Sequence, residues 1–429
     1  MRIAKSVFIR PEDNIIYAIP ALALSVFVFA YSARFGQVSI LAYYGLWLPL
    51  VFVDYRRVLG NYTRYVWIFA FAIFAILSTF WSQAPSATLR AAIQYLSHVI
   101  CALIAMRVLD VRGLTLGAVA GIILVLLYSL AFGYYEYDTL DGTFSFVGAF
   151  SSKNQLGFYA SLGIYFSFAA VFILGERKLW LMVSGFAALL SAYCLHASQS
   201  ATSVITTAAI IALTIGMRAV LMLSPRNRKG LFLAGAICAI TLAVAAVYLG
   251  VIDVVLGAFG KDSTLTGRTY LWQQGIEAAT QSPWVGVGYQ AYWVQGFSEA
   301  ERLWEEFFIT GRGGFHFHNT YIEAVVETGI IGVLLLSLIL IVSIFGHLTR
   351  LLDNARNSES YLLFGISVLL LVRSFVEIDI LNPYHIGSFL LYFMAGKLTM
   401  PRSEYQAVPL YGYDHTDFAL PVSGEESRG

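Results

Sequence analysis

Long apolar runs separated by short polar connections occupy most of the chain. A helix needs about twenty predominantly apolar residues to cross a bilayer. Runs of that kind fall at 15–35, 38–53, 65–82, 88–108, 114–133, 156–174, 179–196, 200–223, 231–252, 321–346, 361–378 and 385–399. The pattern predicts an all-α polytopic membrane protein with about twelve transmembrane helices. Several runs are short or carry glycine or proline, which leaves room for one or two re-entrant segments. The expected organisation is helices 1–9 within residues 1–252, a large loop between helices 9 and 10 at 253–320, helices 10–12 within 321–400, and a polar tail at 401–429. At about seventy residues the loop exceeds what a simple connection needs. Within it TYLWQQGIEAAT has helical character, SPWVGVGYQAYW reads as a Pro/Gly-rich turn, and SEAERLWEEFF reads as an amphipathic helix. Trp272, Trp284, Trp293 and Trp304 suit a membrane interface, with a sugar-binding groove as the competing use of the same rings.

Composition agrees with this pattern. The chain is 58% hydrophobic and 12% charged, whereas soluble domains carry about 25% charged residues. A net charge of +1 leaves no basic surface for nucleic acid. Lysine and arginine gather in alternate connections, among them Lys5 and Arg10, Arg56 and Arg57, Arg107 and Arg112, Arg177 and Lys178, and Arg350 and Arg356. The positive-inside rule then places both termini in the cytoplasm and 253–320 on the outer face. The start, MRIAKSVFIR and the apolar run after it, reads as an uncleaved first helix. Cys101, Cys194 and Cys238 lie in apolar runs and read as small buried hydrophobes. The tail from Pro401 has no periodicity and is expected to be disordered in the cytoplasm.

Candidate chemistry concentrates in RGGFHFHNTYIEAVVETGIIG, residues 312–332. Gly311, Gly313 and Gly314 let the backbone around Arg312 adopt angles closed to other residues. In an extended FHFH, Phe315 and Phe317 face one way and His316 and His318 the other. Helical spacing follows, with Asn319 or Thr320 as N-cap and Glu323 in the first turn. His318 then sits beside a helix N-terminus, which favours neutral imidazole and attracts anions. With an ordinary pKa near 6.5, it is the best candidate for a general base. His316 is read as orienting substrate or as structural, and Asn319 as a cap, a positioner of His318 or a sugar contact. Arg268, Arg90 and Arg312 are candidates for paired phosphate oxygens, because a guanidinium fork matches them. Lys153 and Asn154 open the 156–174 run. Arg373, Glu377 and Asp379 lie near the end of the 361–378 run, where a charge must be paired or wet. Glu377, four residues on, is the expected partner of Arg373. Glu323 and Glu327 lie one turn apart, and Glu327 is expected to hold His318 or the loop. His316, His318 and Glu323 offer a loose metal-ligand set where zinc chemistry needs a tighter one, so no metal is expected. Gly286-x-Gly288 lacks the strand-to-helix setting of a dinucleotide loop and reads as a turn.

HFHNTYIEAVVETGIIG resembles the signature of the O-antigen ligase and polymerase superfamily, in which His-Asn, a large apolar or aromatic residue, Glu and Gly-x-x-Gly close a large periplasmic loop. GRTYLWQQGIEAATQSPWVGVGY is similar to the Arg, Trp, Pro and Gly-x-Gly half of that loop. STFWSQAPSATLR is similar to the segment after the third helix, and SQSATS to the start of the eighth. AFSSKNQLGFY, with its Lys-Asn-x-x-Gly core, is most similar to exopolysaccharide polymerases of the succinoglycan type. The resemblance implies glycan transfer from an undecaprenyl diphosphate carrier to an acceptor sugar hydroxyl, on the periplasmic face of a bacterial inner membrane. It implies no nucleotide sugar, no metal and no other cofactor. For such chemistry the residues themselves point to His318 as catalytic base and to Arg268, Arg90, Lys153, Asn154, Arg312, His316, Asn319 and Arg373 as substrate-binding residues, supported by Glu323, Glu327 and Glu377; of these, Arg268, Arg90, Lys153 and Asn154 also lie in the resembling segments. Beyond the lipid-linked glycan and the bilayer, a chain-length regulator is the candidate partner. Polymerisation of repeat units is the leading reading, and ligation to lipid A core, by the same chemistry, is the alternative. A transporter or flippase is the reading from another class, but it calls for polar groups at mid-membrane, and here they gather at one edge.

Overall fold

The computed structural model describes residues 4–138, 143–250, 257, 267–312 and 314–400. The expected tail at 401–429, Gly313, and most of the first part of the loop lie outside the described residues. Apolar sequence gives an all-α polytopic architecture. Among the described residues, nine helices are long and apolar enough to cross a membrane, and Ser358–Ser374 and Ile386–Thr399 are shorter apolar helices. These helices are apolar on their outer as well as their inner faces. Leu189, Leu334 and Phe345 are exposed while Leu336, Ile339 and Leu340 are buried. In water such a surface would aggregate; in a bilayer it faces lipid.

Two long helices are broken. Ile15–Trp47 leaves helical geometry at Tyr31 and Gly36, and its arms fold back on each other. Trp47 donates to Ser25 Oγ at 2.9 Å, and the Tyr17 hydroxyl bonds the Leu46 carbonyl. The two apolar runs expected at 15–35 and 38–53 are thus arms joined by an elbow. Thr320–Asp353 breaks at Gly329, whose φ is +65°. A side chain there would meet the Trp284 carbonyl within 2.2 Å, so glycine is required by backbone angle and by space alike. Beside the break, the turn at 283–288 pairs with the helix backbone. Val287 and Gly288 donate to the Val326 and Glu327 carbonyls at 3.0 and 2.8 Å, and Ile330 donates to Pro283 O at 2.8 Å.

Close helix packing fixes the site's other wall. A Cβ at Gly157 would strike Ser203 Oγ at 2.5 Å, so the helix Lys153–Phe168 approaches Ala201–Leu221 as small residues allow inside a membrane. One element was not foreseen: strands Tyr134–Asp138 and Thr143–Gly148 form an antiparallel hairpin. Its sequence signal is alternating aromatics around Asp141-Gly142, and Tyr135 stacks on Phe144 at 5.3 Å.

The loop carries the two helices expected of it, Arg268–Ala279 and Ser298–Glu306. Its aromatics correct the interfacial reading. Trp304 and Phe317 are buried with Leu271, Tyr292 and Leu303 in a separate small core, against which Trp293 and Phe315 pack. Only Trp284 is strongly exposed among the four tryptophans. With two helices to cover, the loop uses indole for its own core.

Candidate active site

The FHFH segment alternates as an extended chain should. Phe317 is fully buried, while the His316 and His318 rings lie together at 4.1 Å. Glu323 fixes this segment from the first turn of the following helix, its two oxygens accepting from Trp293 Nε1 and Phe317 N, each at 2.8 Å. Trp272 adds a hydrogen bond to Phe317 O at 2.8 Å. Holding the loop was expected of Glu327, but it falls to Glu323, because the carboxylate one turn nearer the N-terminus is the one beside the incoming chain. Glu327 is buried deeper, with one carboxylate oxygen lacking a hydrogen-bond partner among the described residues.

Asn319 is the N-cap, its Oδ1 accepting from Tyr321 N at 2.9 Å and Ile322 N at 3.2 Å. Its Nδ2 donates to Phe375 O at 2.9 Å, so both ends of the amide serve the fold. Thr320 Oγ1 donates to Glu377 O at 2.6 Å. The segment 375–377 is therefore stitched to the helix start, and His318, just before the cap, is brought to Glu377.

Glu377 is the centre of the site. One oxygen accepts from Arg268 at 3.1 Å and from Asn154 Nδ2 at 2.9 Å, and the other lies 3.5 Å from His318 Nδ1. Asn154 is held in turn by Ser200 Oγ, which donates to its Oδ1 at 2.9 Å. Arg268 also donates to Val376 O at 2.9 Å. Burial would raise the Glu377 carboxyl, but the hydrogen bond from His318 and the charge of Arg268 outweigh it and hold the group well below the usual range. Glu377 is an anion at neutral pH. Burial, with His318 beside it, pushes His316 well below its ordinary value, so its neutral Nδ1 accepts from His318 N at 3.0 Å. The His318 backbone is strained, with φ at +52°. Such a residue is held in place by its surroundings, at a cost of order 1–3 kcal/mol, and strain of this kind gathers at functional positions.

The expected pair of Arg373 with Glu377 does not form. The helix ends at Ser374, so the four-residue spacing no longer puts the two side chains on one face. Arg373 instead pairs with Asp379 in a fully buried contact, donates to Ser203 Oγ at 3.3 Å, and lies over the Phe158 ring at 4.1 Å. Arg312 is drawn away as well, pairing with Glu301 at 2.9 Å. Arg90 is exposed on the helix Pro85–Val108 and makes no hydrogen bond or ion pair to the cluster among the described residues. Lys153 opens its helix beside Asn154. Of the residues singled out from sequence, His316, His318, Arg268, Asn154 and Glu377 come together, with Glu323 and Asn319 behind them. Ser200 was missed as a single residue, although SQSATS contains it.

His316, His318 and Glu377 could each offer a ligand atom to one metal ion, all within 4.8 Å. Glu377, not Glu323, completes that trio. Arg268 already neutralises the carboxylate, which disfavours a cation there. What the arrangement can do is hold an imidazole against a fixed anion beside a guanidinium, in a shell that excludes most solvent. Such an arrangement can accept a proton and meet a negative charge that develops beside it.

Comparison with known proteins identifies the family. Residues 186–337 match the O-antigen ligase family, a span that ends just past the Gly329 break. The chain is also 69% identical over 411 residues to the exopolysaccharide production protein ExoQ of Rhizobium meliloti (strain 1021), covering 96% of this chain and 94% of that protein. The chain belongs to this family of O-antigen ligases and exopolysaccharide production proteins.

Proposed function

We propose that the protein polymerises oligosaccharide repeat units carried on undecaprenyl diphosphate, in a bacterial inner membrane and on its periplasmic face. The observation that carries this reading is the convergence of His318, Arg268 and Asn154 on Glu377, in a chain so similar to an exopolysaccharide production protein. His318 takes the proton of the acceptor hydroxyl as that oxygen bonds the anomeric carbon of the donor. The bond from that carbon to the carrier's phosphate oxygen breaks, and the diphosphate leaves with the electron pair. Glu377 keeps His318 oriented and stabilises the imidazolium, the role of a third group behind a base. Arg268 has donors beyond the two it commits to Val376 and Glu377, and its fixed charge meets the growing charge on the diphosphate.

The O-antigen ligase match favours one second reading, transfer of a finished glycan to lipid A core by the same steps. Purified full-length protein in liposomes, given lipid-linked repeat units alone, decides between them. A ladder of lengthening products is expected. Product formed only when lipid A core is added would assign a ligase, and product from neither would reject both. Sidedness is tested separately with cysteine at the exposed positions Ser298 and Asn227. An impermeant thiol reagent outside the cell should label the first alone, and the reverse pattern would overturn the orientation.

A further inference from the structure

A cavity lies beside the Glu377 cluster, and nothing above uses it. It measures about 250 Å³ and is walled by the elbow at 29–34, the stretch 149–159 and the turn 382–385. Asn154 reaches Glu377, while its neighbour Gln155 lines the cavity, and adjacent Cα atoms are about 3.8 Å apart. Between this cavity and the cluster stands the Phe158 ring, which lines the cavity, with Arg373 over it and Asp379 paired to Arg373.

The walls say what would fit. Tyr31, Phe150 and Tyr159 form a run of rings at 5.2 and 5.1 Å, and ring faces accept the C–H face of a pyranose. Gln155, Asn382 and His385 supply polar edges. His385 is kept neutral at pH 7 because burial lowers its pKa. With Nδ1–H given to Asp379 O at 3.1 Å, its Nε2 is left as an acceptor. The Tyr159 hydroxyl, in a side chain 2% exposed, has no hydrogen-bond partner among the described residues. A buried hydroxyl left unsatisfied is costly unless something supplies the bond. A prenyl tail would want an all-apolar groove, and a diphosphate would want several cations where the wall holds only Arg34.

We infer that this cavity is a saccharide subsite, which takes a neutral sugar of the acceptor chain next to the sugar whose hydroxyl reacts and so anchors the chain beside the cluster. This rests on the proposed transfer reaction. The sugar's hydroxyls satisfy Tyr159, Gln155 and His385 while its apolar face lies on the rings.

The test uses full-length protein in liposomes with lipid-linked repeat units as donor and the carrier-free oligosaccharide, released by mild acid, as acceptor. Tyr159→Phe removes only a partnerless hydroxyl, so its thermal stability should match or exceed the wild type. Its KM for the acceptor should rise about three- to tenfold, as should that of Gln155→Ala, with donor KM and kcat at saturating acceptor unchanged. Acceptor KM unchanged in both variants, with His318→Gln inactive, would overturn the subsite alone. A rise in donor KM instead would also overturn it. Wild-type turnover by His318→Gln would remove the transfer reading on which it rests.

Discussion

Arg268 and Glu377, 109 residues apart in sequence, meet at 3.1 Å, and the same guanidinium bonds the Val376 carbonyl. This pairing joins the loop helix to the segment between the last two helices and so assembles the site from parts of the chain that no local pattern connects.

Arg268→Lys retains the charge but cannot make both bonds in one plane. It should reach the membrane at near wild-type level and lose roughly tenfold to a hundredfold in polymer formation, with Arg268→Ala lower still. Polymer yield normalised to protein level is the measurement. Full activity in both variants would take Arg268 out of the reaction.

Arg373 and Asp379 form a buried pair, and removing one partner of such a pair costs about 3–5 kcal/mol. Arg373→Met or Asp379→Leu alone should lower the amount of protein in the membrane, and the two together should restore much of it. Arg373→Met with Glu377→Leu should restore none. Rescue by the Glu377 combination would mean that the helix continues past Ser374 and the expected four-residue pair forms after all.

Stability should depend on pH in a defined direction. His316 is held neutral when folded, so above its ordinary value of 6.5 it contributes no pH dependence; as pH falls below 6.5 the unfolded chain takes up a proton the folded one refuses. Glu377 is depressed from 4.5, so its contribution is present above pH 4.5 and is lost as pH drops further. These two contributions should therefore be lost below pH 6.5 and below pH 4.5 respectively, and the His316 contribution is read as the difference in melting between wild type and His316→Gln across that range. His316→Gln should remove part of the first decline, with the other buried histidines, His385 among them, contributing to what remains. Identical profiles for variant and wild type would contradict the placement of His316.

Much of this was legible in the sequence wherever the information was local. Apolar run length marked the helices, alternation in FHFH separated Phe317 from the histidines, and Asn319 capped the helix it precedes. What failed depended on where a helix stops or on distant contacts. The pairing of Arg373 with Glu377 assumed a helix that ends three residues too soon. Trp293 and Trp304 leave the interface expected of them for the loop's own core, which a sequence does not reveal. Asn154 and Arg268 looked like independent substrate contacts, and only the packing of separate helices shows that they share one carboxylate.

His318 is the residue on which the proposed mechanism stands. The direct measurement is the initial rate of glycosidic bond formation by His318→Gln in liposomes, at saturating lipid-linked repeat units and with donor binding measured on the same preparation. Glutamine keeps a hydrogen bond to Glu377 but cannot take a proton, so binding should persist while the rate falls roughly 10²–10⁴-fold. A rate near wild type, with donor bound, would contradict the assignment of His318 as the base.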